Sequence, residues 1–154
     1  MDKDYRLCLF AITLLIEVVI TYIWTIDGHN WTMWEKAFCF FVFVCHVIFY
    51  VTLYYENRQW LDVMHVAVFV STLFGVFLQS VPLLVLLLCL CVGIQLQWLF
   101  MNVCIMNSDE QNTNTNYGFS KLTAGFFLLY TCYLSFKIGS LRCARKGSLT
   151  HDAG

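Results

Sequence analysis

Three ionisable residues, Glu17, His46 and His65, stand in stretches that carry no other charge. Such residues are costly inside a membrane, so each one asks for a reason. A carboxylate and an imidazole at one depth can relay protons, or can simply bond two helices together. Two histidines could also offer axial ligands to a haem. Gln95 and Tyr130 add further hydrogen-bonding groups within apolar segments. The chain has eight cysteines; Cys39, Cys45, Cys89, Cys91 and Cys132 lie in apolar surroundings, where a thiol acts as a small hydrophobe. Cys89-x-Cys91 lacks the spacing of a zinc site, whereas Cys143, between Arg142 and Arg145, is a candidate for lipidation. No nucleophile–base set, glycine-rich phosphate loop, HExxH or pair of aqueous carboxylates occurs. The expectation is therefore a protein that is not an enzyme, with no cofactor and no metal.

The elements that must position these groups follow from composition. Of 154 residues, 60% are hydrophobic, 12% are charged and one is proline. A soluble fold of this size cannot hide so much apolar surface, so the composition points to a bilayer. The shortage of charge excludes disorder, and the net charge of -1 excludes a nucleic-acid surface. A hydrocarbon core about 30 Å thick needs roughly 20 helical residues. Apolar segments of that kind are predicted at 7–26, 37–55, 60–80, 82–106 and 119–138. The third and fourth share one long uncharged stretch, broken where Gln79-Ser80-Val81-Pro82 disfavours continuous helix. A polar loop, 107–117, and a basic tail, 139–154, complete a single domain. The expected fold is an all-α integral membrane protein, a compact bundle of about five transmembrane helices. Four, with the third and fourth as a re-entrant pair, is the alternative.

Trp24, Trp31, Trp34, Tyr54, Tyr55, Trp60 and Tyr117 gather near these boundaries, as headgroup-level aromatics do. The acids Asp27, Glu35, Glu56, Asp109 and Glu110 are expected exposed on turns. Lysine and arginine divide four against five between the two sides, which sets no orientation.

Counting from the amino-terminal side puts Glu17 and His46 about 15 Å deep, Gln95 about 18 Å and Tyr130 about 17 Å. His65 lies nearer the surface, about 9 Å deep, which argues against a shared haem with His46. Helical spacing then aligns Thr13, Glu17 and Thr21 into one stripe and His46, Tyr50 and Tyr54 into another. The predicted arrangement turns these stripes inward and brings Glu17 against His46.

Trp98-Leu-Phe-Met-Asn102-Val-Cys104-Ile-Met forms a short Trp-x3-Asn-x-Cys element. It resembles elements in small multi-spanning virion membrane proteins of large icosahedral DNA viruses with an internal membrane. The resemblance covers these nine residues and implies a structural role beneath the capsid layer, in a virion internal membrane or a host membrane. The expected function is thus a structural or assembly membrane protein. Its partners would be the bilayer and other membrane or capsid proteins, with homo-oligomerisation open. Asn107, Asp109, Glu110, Arg142, Arg145 and Lys146 are the candidate contacts. The alternative is a small transporter, channel or electron-carrier subunit built on the intramembrane Glu/His site.

Overall fold

The computed structural model describes residues 3–56, 58–101 and 121–151. Five α-helices account for nearly all of them: α1 (Lys3–Asp27), α2 (Met33–Tyr55), α3 (Arg58–Phe74), α4 (Val81–Met101) and α5 (Lys121–His151). Short 3-10 turns follow α1 at Gly28–Asn30 and α3 at Gly75–Phe77, and no strand occurs among the described residues. Two stretches, Arg6–Asn30 and Met33–Tyr55, are long and apolar enough to cross a bilayer. Shorter apolar helical stretches lie at Val66–Phe77 and Val81–Leu96.

Contacts divide the chain into two units, with α1, α2 and α3 in the first and α4 and α5 in the second. In the first unit α1 packs on α2 and α2 on α3. The buried positions Leu9 and Thr13 of α1, and Glu35, Cys39, Phe49 and Leu53 of α2, repeat at helical spacing. In the second unit α4 lies along α5. Its buried residues are Leu84, Leu87 and Cys91 on α4, and Phe127, Tyr130, Leu134 and Ile138 on α5.

Several boundaries differ from the sequence reading. The second helix starts at Met33 instead of 37, because Thr32 and Glu35 form a capping box. Thr32 Oγ1 accepts from the Glu35 backbone N–H at 3.3 Å, and the Glu35 carboxylate accepts from the Thr32 N–H at 2.8 Å. Glu35, expected on an exposed turn, is consequently buried at 2% exposure. The third helix ends at Phe74 and not at 80; the chain tightens into the 3-10 turn at Gly75 and is non-helical from 78 to 80. The fifth does not end at 138 but runs to His151, so most of the expected basic tail is helix. Hydropathy marks where apolar residues stop. The good helix formers of the Leu-Arg-Cys-Ala-Arg-Lys run carry the helix past that point.

Candidate functional site

Glu17 sits on the half-buried face of α1, four residues beyond buried Thr13, and His46 on the half-buried face of α2. The structure brings them together: Glu17 Oε1 meets His46 Nδ1 across the helix pair, the contact that their common depth predicted. Their side chains are 13% and 16% exposed, so the pair is largely removed from the surroundings without being sealed. A carboxylate so placed needs a partner, and the imidazole supplies it. Thr13 contributes nothing to the pair, since its hydroxyl donates to the Leu9 carbonyl at 2.9 Å.

Glu17, though not His46, borders a groove of about 570 Å³ between α1 and α2. Its walls are mostly aliphatic and aromatic, including Leu14, Val18, Phe43 and Val47, with Glu17, Thr21, Tyr22, Thr25 and Tyr50 as its polar members. Tyr50 packs its ring against Phe10 at 4.9 Å, tilted by 52°.

Gln95 and Tyr130 belong to the second unit. Gln95 Nε2 donates to Thr131 Oγ1 at 2.5 Å and to the Cys91 carbonyl at 3.2 Å. Thr131 in turn donates to the Phe127 carbonyl at 2.8 Å. The side-chain partner of Gln95 is therefore Thr131, the neighbour of Tyr130. Tyr130 is instead buried at 6% exposure, its ring stacked with Phe126 at 6.2 Å and Tyr133 at 6.3 Å. Sequence reasoning passed over Thr131, although it lies one residue from Tyr130 and hence at the same depth.

A second missed contact closes the other end of the α1–α2 pair. Arg6, at the start of α1, pairs with Glu56, the left-handed C-cap of α2. Both stand at predicted segment ends on one side, so the depth argument that paired Glu17 with His46 could have paired them too. Arg142 and Cys143 are exposed on α5. The side chains of His65, Arg145 and Lys146, and the residues Asn107, Asp109 and Glu110, lie outside the described ones. No group of three or more His, Cys, Asp or Glu side chains among the described residues could hold a metal.

Comparison with protein-family models, with curated proteins and with solved structures finds no match.

Proposed function

We propose that this chain is a multi-pass membrane protein of structural or assembly type, with its five helices crossing the bilayer. The observation that carries this is how its interior polar groups are used. Glu17 with His46 joins α1 to α2, and Gln95 with Thr131 joins α4 to α5. Thr13, Thr52 and Ser71 turn their hydroxyls back on carbonyls four residues earlier in their own helices. The two cross-helix contacts act as glue between helices, while the back-bonded hydroxyls are satisfied within their own helix. The helix surfaces outside the contacts are apolar, with Leu15, Phe40, Val51, Leu129 and Phe136 all more than half exposed. That pattern suits lipid.

The narrower version, an inner-membrane protein of an icosahedral virion that contacts the capsid layer, rests on the Trp98-x3-Asn102-x-Cys104 element. Its test is extraction of the full-length protein from its native membrane in a mild detergent, followed by identification of what co-purifies. A stoichiometric protein partner is the expected result. The rival class, a transporter, is tested by reconstitution in liposomes with an internal pH dye. Proton flux that is lost in Glu17→Gln would overturn the structural reading.

A further inference from the structure

The groove between α1 and α2 has two unlike ends. One end of the helix pair is fixed by the Arg6–Glu56 contact, the other by the Gly28–Asn30 turn. Going from Glu17 toward the turn, Thr21 and Thr25 continue along the groove at successive four-residue steps, and both are exposed. Toward Arg6 the same stripe continues as Thr13, which is 8% exposed with its hydroxyl bonded to Leu9. There the groove stops at Leu14 and Tyr50, and Phe10 packs on the Tyr50 ring. The Tyr50 hydroxyl is itself buried, without a hydrogen-bond partner. Glu17 is thus bordered by open hydroxyls on one side and by a closed aromatic contact on the other.

We propose that this groove is a one-sided path for water and protons to the Glu17–His46 pair, entered from the Gly28–Asn30 end and closed before the Arg6 end. It rests on the reading that α1 and α2 cross a membrane. Four residues of helix rise about 6 Å, and two hydrogen bonds of about 2.8 Å through one water span nearly the same distance. Single waters can therefore bridge Glu17 to Thr21 and Thr21 to Thr25. The Thr21 hydroxyl makes no bond within the described residues; that of Thr25 donates to the Tyr22 carbonyl at 2.8 Å and keeps its acceptor capacity. The groove has room for these two bridging waters, and each has two oxygens of the stripe as partners, the fewest that hold a water in place. A proton arriving along them binds the carboxylate or the imidazole and leaves by the same route, so exchange occurs without transport. The other titratable side chains near the pair are Tyr22 on α1 and Cys39, Cys45 and Tyr50 on α2. α3, packed on α2, adds none among its described side chains.

The test is sided labelling of the full-length chain in phosphatidylcholine liposomes with a membrane-impermeant thiosulfonate, the label being located by peptide mass spectrometry. Thr21→Cys and Thr25→Cys are compared with His29→Cys and Tyr54→Cys, which mark the two ends. Reaction of both threonine positions from the side that labels His29→Cys, and loss of that reaction from the side that labels Tyr54→Cys, is expected. Silence from both sides would mean that acyl chains fill the groove, and reaction from both would mean a through path; either overturns the proposal. If His29→Cys and Tyr54→Cys label from one and the same side, the hairpin does not cross, and the membrane reading falls together with the path. A second measurement leaves the groove residues native. The infrared carboxyl band that Glu17→Gln removes is expected to respond to a pH step on the His29 side alone. A response to a step on the Tyr54 side would overturn the proposal.

Discussion

Glu17 and His46 matter energetically because neither tolerates being left alone. Their side chains are 13% and 16% exposed, so removing one partner strands the other in a poorly solvated position. Breaking a buried pair in this way costs about 3–5 kcal/mol, whereas replacing both members can be close to neutral. An ordinary interhelical hydrogen bond in lipid contributes only about 0.6 kcal/mol. His46→Ala, which leaves the carboxylate unpaired, is therefore expected to destabilise the protein by a few kcal/mol in that sense. Adding Glu17→Gln should return part of the loss. Thermal unfolding of the four members of this cycle in detergent measures the coupling, which should exceed about 1 kcal/mol if the pair behaves as a buried ion pair. Additive losses would mean that the two residues act independently. Gln95 differs, since it bonds Thr131 and its own helix with a neutral amide. Its loss belongs at the lower end of that scale.

At the level of the helices, ends decide more than interiors. Thr32 caps α2 through its hydroxyl and is tied back by the buried Glu35 carboxylate. Thr32→Ala should cost about 1 kcal/mol, while Thr32→Ser, which keeps the oxygen, should cost much less. Circular dichroism melts separate the two. At the far end of α2, Glu56 adopts φ 54°, a left-handed conformation that costs a residue with a Cβ roughly 1–2 kcal/mol. Its pair with Arg6 is largely exposed, 29% and 53%, and contributes no more than about 1 kcal/mol. Glu56→Gly is therefore expected to be at least as stable as the natural protein. Glu56→Ala, which keeps the strain and loses the pair, should fall below both. These ends also show how far the sequence could be read. The helices and the Glu17–His46 contact were legible because charge is so scarce that depth and spacing leave few alternatives. The Thr32-x-x-Glu35 box was legible too, but Glu35 was assigned by its charge to an exposed turn when its role was to satisfy the Thr32 backbone. The end of α5 was not legible from hydropathy, because Lys, Arg and Ala continue a helix as readily as Leu does. The left-handed Glu56 carries no sequence signal at all, since the position is one that glycine ordinarily takes.

Across the whole molecule, the glycines of the second unit bear on whether the chain stands alone. Gly93 on α4 and Gly125 and Gly139 on α5 lie within helices, where glycine costs about 1 kcal/mol relative to alanine. A Cβ built at any of the three meets nothing within 4 Å. Gly125, Cys132 and Gly139 recur every seven residues and are all exposed, so they form one shallow strip along α5. Among the described residues no packing contact holds these positions small. Gly125→Ala and Gly139→Ala should then each raise stability, by up to about 1 kcal/mol, since space is open and the unfolded chain becomes more restricted. Small residues on a membrane helix also permit close approach of another helix, and a methyl group there would separate the two surfaces. The sign of the change therefore separates two assemblies. Stabilisation, with an unchanged mass by native mass spectrometry, is expected if this face meets lipid. Destabilisation, with loss of a larger species, would show that the strip is an interface between chains.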